Sequence, residues 1–287
     1  MNGTLQDCHG YLEGVGRLRL HYRAWEANAP RSALLVVHGL AEHSGRYEQL
    51  GRDLAAAGHS VYALDLRGHG DSDGRRGHVR RFDQLLQDLD RFRREVQGMV
   101  RPDLPMFLVG HSLGGLIALR YLEEYSPDFR GAILSAPWLA TALSIPHWKV
   151  ALAQVLNKLA PSLPLKANVP AEYLSHDAEV VEAYRSDPLV HDRITPRMFT
   201  EISSAMGLVF QRADRIDVPL LFLLPGGDQI TNPQRTRELA RAIRQTDVTV
   251  RLFPEGFHEL FNEVDRSLVL SEVRNWLSSQ LEARASA

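Results

Sequence analysis

The sequence contains a single cysteine, Cys8, among its 287 residues. One cysteine forms neither an internal disulfide nor a cysteine-rich metal site, and a chain without disulfides is typical of a reducing compartment. No apolar run approaches the roughly 18 residues that a membrane-spanning helix needs. The first ten residues are polar and lack the apolar core of a signal peptide. These absences predict a cytoplasmic protein whose contact with membranes is at most peripheral.

A large net charge is also missing. The formal net charge is −2, so a nucleic-acid partner is not expected, because such a partner usually requires a basic surface. Hydrophobic residues make up 44% of the chain, more than an intrinsically disordered chain contains. No internal repeat or low-complexity linker interrupts the sequence. The composition therefore predicts a folded globular protein that is large enough to bury a core and a pocket.

Short apolar runs alternate with longer amphipathic segments, which is typical of an α/β protein with a parallel sheet covered by helices on both faces. Strands are predicted at 33–38, 60–66, 106–109, 132–135, 220–224 and 248–253. Helices are predicted at 46–57, 79–100, 113–125, 233–244 and 266–281. An alternating segment at 9–25, with a turn at 14–16, predicts an antiparallel hairpin at the sheet edge. The expected fold is a mostly parallel, eight-stranded sheet flanked by helices.

One segment, 138–212, breaks this alternation because predicted strands are absent and prolines recur. Short helices between prolines predict a helical cap, inserted after the fourth parallel strand, that divides the core into 1–137 and 213–287. A cap at this point would cover the carboxyl ends of the strands, where open α/β sheets bind ligands.

Four apolar residues of the cap fall on one helical face: Trp148, Leu152, Val155 and Leu159. We expect their helix to form a lid that lines the pocket beneath it. A transient contact with a membrane or lipid-droplet surface is a second expected role. The alternative is a helix that simply packs on the domain below.

The motif G-x-S-x-G occurs at Gly110-His111-Ser112-Leu113-Gly114, between a predicted strand and a predicted helix. A nucleophile on such a tight turn has an unusual backbone conformation, so its neighbours must be small. Ser112 is therefore the candidate nucleophile, and a glycine-rich turn with an incidental serine is the alternative. His111 is expected to lie near bound substrate without catalysing.

A serine nucleophile needs a histidine base, and the base needs a carboxylate that orients it. In this kind of fold the chain order is serine, acid, histidine. Asp228 follows the predicted strand 220–224 and a glycine turn, whereas Asp214 precedes that strand, at its wrong end. His258 follows the last predicted strand, and no later histidine competes with it. The alternative interpretation is that Asp228 is an ordinary turn aspartate and His258 an ordinary surface histidine.

The tetrahedral intermediate of ester hydrolysis needs N–H donors for its oxyanion. The candidates are the backbone N–H groups of Leu113, after the nucleophile, and Leu40, after the first parallel strand. His38 is expected to be partly buried and to pair with backbone. No H-x-E-x-H pattern or carboxylate cluster indicates a metal, and no cofactor is required.

The segment Val37-His-Gly-Leu-Ala-Glu-His-Ser-Gly-Arg-Tyr47 resembles the region around the oxyanion hole of monoacylglycerol lipases. Residues 65–72 match the D-x-R-G-H-G-x-S run of the same group, and the similarity extends over about 10–281. The resemblance implies an α/β-hydrolase fold, the catalytic roles suggested above, and a place for Glu42 and Arg46 near the alcohol side of the pocket. The alternative interpretation of Glu42 and Arg46 is a surface ion pair at helical spacing.

Phe261 stands where animal members of this group have a second histidine, and the cap has no cysteine, so the chain looks more like the compact bacterial members. The expected reaction is hydrolysis of a monoacylglycerol, a small lipid ester. A lysophospholipase or short-chain carboxylesterase would use the same three residues. An inactive binding protein of the same fold is the non-enzymatic alternative. A peptidase is disfavoured because no carboxylate cluster for a free amino terminus is evident.

Overall fold

The computed structural model describes residues 7–125, 128–142, 145–167 and 169–285. The strands are β1 Asp7–Glu13, β2 Arg19–Trp25, β3 Ser32–Val37, β4 His59–Leu64, β5 Met106–His111, β6 Gly131–Ser135, β7 Leu165–Lys166, β8 Arg193–Ile194, β9 Leu220–Pro225 and β10 Val248–Phe253. The α-helices are α1 Glu48–Ala56, α2 Asp83–Met99, α3 Leu113–Tyr125, α4 His147–Leu159, α5 Ala178–Ser186, α6 Pro196–Gln211, α7 Pro233–Ala242 and α8 Arg266–Ala285. Short 3₁₀ helices span Ser44–Tyr47, Ala171–Tyr173, Ala213–Arg215 and Leu260–Asn262.

The eight-stranded sheet has the order β1-β2-β4-β3-β5-β6-β9-β10. Strands β1 and β2 form the predicted antiparallel edge hairpin, β2 also pairs antiparallel with β4, and the remaining pairs are parallel. Every residue of β3, β4, β5, β6 and β9 is buried. Such continuous apolar strands need cover on both faces. Helices α2, α3 and α7 contribute to the core on one face, and α1 and α8 to the core on the other, so the predicted fold class is confirmed.

Helix α2 starts at Asp83, later than the predicted 79. The backbone N–H of Phe82 donates to the carboxylate of Glu201 on α6, at 2.8 Å. This contact comes from a distant part of the chain, so local periodicity does not predict it. The predicted helix at 46–57 instead begins with the 3₁₀ turn Ser44–Tyr47 and continues as α1.

The cap contains α4, α5 and α6 and lies between β6 and β9 in the chain, as the sequence predicts. It also contains a two-stranded antiparallel ladder, in which Leu165 pairs with Ile194 and Lys166 with Arg193. The prediction that this segment lacks strands was therefore wrong, because two-residue strands are too short to produce an alternating pattern. We keep 138–212 as the proposed limits of the cap; residues 143, 144 and 168 within them lie outside the described part.

Within the described residues, none of the helices combines the length and the apolar character that crossing a bilayer would require.

Candidate active site

Ser112 lies in the turn between β5 and α3, with a backbone φ of 51°. A non-glycine residue in this left-handed region is strained and is held there by its surroundings. The N–H of Ser112 donates to the carbonyl of Ser135 on β6, at 3.0 Å. A Cβ on Gly110 would lie 2.6 Å from the carbonyl oxygen of Gly114, and one on Gly114 would overlap the carbonyl oxygen of Val37. The two glycines therefore allow β5, α3 and β3 to meet closely behind the serine.

Asp228 follows β9, and His258 follows β10, so the two residues come from loops at the same sheet edge. These loops are hydrogen-bonded to each other, because the N–H of Gly226 donates to Phe253 at 2.7 Å and that of Gly227 to Gly256 at 3.0 Å. His258 Nδ1 donates to Asp228 Oδ2 at 2.8 Å. This bond leaves Nε2 as the nitrogen that is available to a serine hydroxyl.

Further donors hold Asp228 in place. Its Oδ1 accepts from the N–H groups of Ile230 and Thr231, at 2.7 and 3.0 Å, and its Oδ2 accepts from the Thr231 hydroxyl at 2.6 Å. Burial alone would raise the pKa of Asp228, but the neighbouring His258 and these hydrogen bonds outweigh it and keep that pKa below its ordinary value. The aspartate is thus an anion with a fixed orientation.

The pKa of His258 is shifted in the opposite direction. Burial favours the neutral imidazole, but the charge and hydrogen bond of Asp228 outweigh burial and raise the pKa of His258 above its ordinary value. A histidine with a raised pKa is a stronger proton acceptor, which suits a general base.

A cavity of about 480 Å³ lies between the sheet edge and the cap. Ser112 and His258 line its floor, together with Leu40, Glu42, His111 and Glu259. The cap contributes mostly apolar side chains to its other walls, including Trp138, Ile145, Ala153, Leu174 and Phe199, together with Lys149 and Lys166. Asp228 and Arg46 are not among the lining residues but are hydrogen-bonded to His258 and Glu259, which are, and Leu113 follows Ser112 in the chain. The structure thus brings all the predicted site residues to one end of one cavity.

Both predicted oxyanion donors are near Ser112, because Leu113 follows it in the chain and a Cβ on Gly39, next to Leu40, would lie 3.2 Å from the Ser112 Cβ. Leu113 is the first residue of α3, and the first-turn N–H groups of a helix have no acceptor within it. Leu40 lies in the loop after β3, next to Ala41, whose φ is 71°. The N–H of the preceding Gly39 donates to Glu42 Oε1 at 2.5 Å. Glu42 therefore fixes the loop that carries Leu40.

Glu42 and Arg46 are not a surface ion pair, because their side chains are only 4% and 8% exposed. Arg46 Nε lies 3.4 Å from Glu42 Oε2, and its Nη2 donates to Glu259, the residue after His258. The Tyr47 hydroxyl also donates to Glu42, at 2.9 Å. One guanidinium therefore lies between two buried carboxylates and joins the loop of Leu40 to the loop of His258.

The two carboxylates have opposite pKa shifts. Burial, and then the charge of Glu259, raises the pKa of Glu42 to about 7. Burial also acts on Glu259, but Arg46 outweighs it and lowers the pKa of Glu259. Near neutral pH, Arg46 is thus compensated mainly by Glu259, and Glu42 is the carboxylate that takes up a proton more easily.

Two further histidines near the site, His111 and His38, are held by packing and by backbone hydrogen bonds. The His111 ring packs against that of His258, with centroids 4.7 Å apart, and burial lowers the pKa of His111 to about 3. His38 is fully buried rather than partly buried. Its Nδ1 donates to the Gly39 carbonyl at 2.7 Å, and its Nε2 accepts from the N–H of Leu66 at 2.9 Å, so the predicted pairing with backbone is confirmed.

Sequence reasoning missed the residues that tie the histidine loop to the cap. The N–H groups of His258 and Glu259 donate to the carbonyls of Tyr173 and Leu174, at 3.3 and 2.8 Å. Glu263 accepts from the N–H of Phe257 and from the His176 ring, both at 2.8 Å. The cap residue His176 also stacks on Phe257, with centroids 3.7 Å apart. The sequence signal was the presence of Glu259 and Glu263 within five residues of the candidate base.

Among the described residues, one group of three side chains has the proximity that a metal ion would need: His21, Asp65 and Asp71. Asp65 already accepts from His21 Nδ1 and from the N–H of Asp71, at 2.8 and 2.9 Å. It also accepts from the N–H of Ser44, at 2.6 Å. These bonds connect the turn after β4 to the segment that follows Glu42 and account for the cluster.

This topology, with a serine in a left-handed turn at the carboxyl end of β5, is that of an α/β-hydrolase. The family described as serine aminopeptidase, S33 matches residues 28–265. The monoacylglycerol lipase of Mycolicibacterium smegmatis is 36% identical over 98% of this chain and 100% of its own length. The human monoglyceride lipase is 31% identical over 98% of this chain and 94% of its own length. The crystal structure of Paleococcus ferrophilus monoacylglycerol lipase superposes with a TM-score of 0.83 at 35% identity, covering 91% of this chain and 99% of that one.

The chain belongs to the serine aminopeptidase S33 family of α/β-hydrolases, in the branch that resembles monoacylglycerol lipases, and is a carboxylic ester hydrolase.

Proposed function

We propose that the protein hydrolyses monoacylglycerols to glycerol and a free fatty acid through an acyl-enzyme on Ser112. The observation that carries this proposal is the single cavity in which a serine and a carboxylate-paired histidine lie below apolar walls. An apolar pocket with a few polar groups at one end suits a ligand with one long acyl chain and a small polar head. The names of the relatives in two organisms support the same substrate class.

In the first step His258 Nε2 takes the proton of Ser112 Oγ while the oxygen attacks the ester carbonyl. The N–H groups of Leu40 and Leu113 stabilise the resulting oxyanion. The C–O bond to glycerol then breaks, and the histidinium gives its proton to the departing alcohol oxygen. The products of this step are glycerol and an ester of Ser112 with the fatty acid.

In the second step His258 takes a proton from a water molecule, and the hydroxide formed attacks the acyl-enzyme. Collapse of the second tetrahedral intermediate returns the proton to Ser112 and releases the fatty acid. Asp228 keeps the His258 Nδ1 proton in place and stabilises the imidazolium in both steps. No metal or organic cofactor takes part in this sequence.

Glu42 is the proposed acceptor for a glycerol hydroxyl because its carboxylate lies in the cavity wall beside the oxyanion loop. Arg46 supports it from behind. The family description names a peptidase, and the cavity wall does contain two carboxylates, Glu42 and Glu259. The guanidinium of Arg46 lies between them and compensates one of the two negative charges. Burial, and then the charge of Glu259, raises the pKa of Glu42 to about 7, so the pair presents little net negative charge to a peptide amino group.

The test is fatty-acid release from monoacylglycerols of increasing acyl length, with lysophosphatidylcholine and diacylglycerol as competitors. We expect monoacylglycerols to be preferred and Ser112→Ala to lose roughly 10⁴-fold or more of the rate. Ser135→Ala is the matched control, because it removes another fully buried serine hydroxyl, one with no hydrogen-bond partner among the described residues. A preference for lysophosphatidylcholine would make the protein a lysophospholipase, and turnover of short soluble esters alone would make it a carboxylesterase. No turnover by either protein would favour a binding protein.

We place this reaction in the cytoplasm, at the surface of a membrane or lipid droplet that the cap contacts transiently. Monoacylglycerols partition into such surfaces, and the cap is the part of the protein that covers the cavity.

A further inference from the structure

A second cavity, of about 560 Å³, lies beside the catalytic one. The two cavities share Ala167, Val169 and Tyr184 among their lining residues. The guanidinium carbon of Arg46 lies 4.8 Å from the centroid of the Tyr184 ring. Ala41, in the loop of the proposed oxyanion hole, also lines the second cavity. The second cavity therefore adjoins the catalytic one at the end proposed to hold the glycerol head.

The second cavity has more positive charge than its own carboxylates compensate. Its lining includes three arginines and two aspartates: Arg76, Arg185, Arg193, Asp187 and Asp192. Three of these five pair with side chains outside the lining: Asp187 with His43 at 2.8 Å, Asp192 with Lys166 at 4.0 Å, and Arg185 with Glu172 at 3.3 Å. Arg76 and Arg193 remain, and neither guanidinium lies within 4.0 Å of a carboxylate among the described residues.

The two remaining arginines belong to segments that touch each other. The N–H of Thr195 donates to the Gly77 carbonyl at 2.9 Å, and a Cβ on Gly77 would overlap the carbonyl oxygen of Arg193. Both cations also act on one imidazole of the cavity lining. Burial lowers the pKa of His191 to about 4, and the charges of Arg76 and Arg193 add to this effect. The two positive charges are thus concentrated in one part of the cavity.

Both guanidinium groups retain donors for a ligand. Arg76 Nη2 donates to the Gly70 carbonyl at 2.7 Å, but its Nη1 is buried and has no hydrogen-bond partner among the described residues. The Arg193 side chain is exposed and makes no hydrogen bond with the described part of the protein. A buried N–H without an acceptor is costly, and an anionic oxygen is the strongest acceptor for it. Two such arginines at one cavity are typical of a phosphate site.

We propose that the second cavity binds the phosphate of an acylglycerol phosphate, which is a further substrate of the enzyme. The inference rests on the proposed function, because the same attack by Ser112 cleaves the ester. One water is consumed, a fatty acid and glycerol phosphate are released, and the P–O bond stays intact. A phosphate monoester carries a charge of about −2 near neutral pH. The choline of lysophosphatidylcholine compensates part of the phosphate charge, so that lipid should gain less from the arginines.

The test compares kcat/KM for 1-octanoylglycerol and 1-octanoylglycerol 3-phosphate, both below their critical micelle concentrations. The readout is the ratio of the phosphorylated to the neutral ester. Arg76→Gln with Arg193→Gln should lower this ratio by roughly 100-fold, since each hydrogen bond to a charged group contributes about tenfold or more. A structural defect slows both esters alike and cancels in the ratio.

The matched control is Arg101→Gln with Arg244→Gln. Both arginines are exposed and precede β5 and β10, at the sheet edge opposite the catalytic cavity. This variant loses the same charge and should keep the wild-type ratio. An unchanged ratio in the variant of Arg76 and Arg193, or an equal fall in the control, would overturn the phosphate site.

Calorimetric binding to full-length Ser112→Ala protein separates this inference from the proposed function. If wild type hydrolyses neither ester, but the inactive protein binds the phosphorylated ester more tightly and loses this preference with the two arginines, the proposed function fails and the phosphate site stands. Hydrolysis of the neutral ester alone leaves the proposed function intact and refutes the further substrate. In that case, inhibition by inorganic phosphate that depends on Arg76 and Arg193 would assign the cavity to a free anion instead of a head group.

Discussion

At the scale of single residues, the site depends on two groups with opposite pKa shifts. Asp228 is held anionic, and its charge raises the pKa of its partner His258. The base must be neutral to accept the proton of Ser112, so kcat/KM falls as the pH is lowered through the raised pKa of His258. The pH at which kcat/KM falls, the acidic limb of its pH profile, therefore reports the charge of Asp228.

Asp228→Asn should lower the rate by about 10⁴-fold, because an amide no longer fixes the required tautomer or stabilises the imidazolium. It should also shift the acidic limb to lower pH, since the largest influence that raises the pKa of His258 is removed. The measurement is the pH dependence of kcat/KM on a water-soluble ester. Asp214→Asn, at an exposed aspartate before β9, is the control that should leave the limb unmoved; an unshifted limb in Asp228→Asn would contradict the pairing.

The three proposed catalytic residues and Leu40 were predictable because each follows a recognisable apolar strand. Glu42 and Arg46 were recognised only through family resemblance, and their burial was not predictable, since i,i+4 spacing is also that of a surface pair. Glu259 escaped prediction because its partner Arg46 lies 213 positions earlier in the chain.

At the scale of elements, the turn between β5 and α3 depends on the absence of two side chains. Gly114 faces the carbonyl of Val37 on β3, so even a methyl group must displace a central strand. The turn is therefore a point where three elements are packed at their closest approach.

Gly114→Ala should lower the free energy of unfolding by at least about 2 kcal/mol because the new Cβ overlaps backbone that has no room to move. Gly98→Ala, on α2, is the matched control. It has open space around its position, so alanine should be neutral or stabilising by up to about 1 kcal/mol. Urea denaturation of both variants measures the difference, and equal stability of the two would refute close packing at the turn.

The long core elements were predictable from periodicity, and the short cap elements were not. Strands β3, β5 and β9 are continuous apolar runs, whereas β7 and β8 have two residues each and pair across the cap. At the start of α2 the N–H of Phe82 donates to Glu201 in the cap, a contact that local periodicity does not predict.

At the scale of the whole molecule, the substrate range depends on how the cap closes over the sheet. The cavity of about 480 Å³ is lined from both parts of the protein, so its depth is a property of their packing rather than of any motif. Acyl preference was for this reason not predictable from the sequence.

Ala153→Phe should shift the preferred monoacylglycerol to shorter chains, because Ala153 lies on the cavity side of α4. Each methylene that no longer fits forfeits about 0.8 kcal/mol of burial, or roughly fourfold in kcat/KM. Gln154→Phe adds the same ring next to Ala153 at an exposed position and should keep the wild-type chain-length profile. The profile is measured below the critical micelle concentration, and a shift in both variants would remove Ala153 from the acyl pocket.

The hydrogen bonds from His258 and Glu259 to Tyr173 and Leu174 have a consequence for exchanging caps between related enzymes. A chimera cut at the obvious borders, after β6 and before β9, would import foreign residues at 173–176 and separate the base from its backbone support. A transplant confined to α4 and its flanking loops leaves that support intact. For protein engineering, the short helix Ala171–Tyr173 and the residues up to His176 therefore belong to the catalytic machinery, although the chain inserts them with the cap.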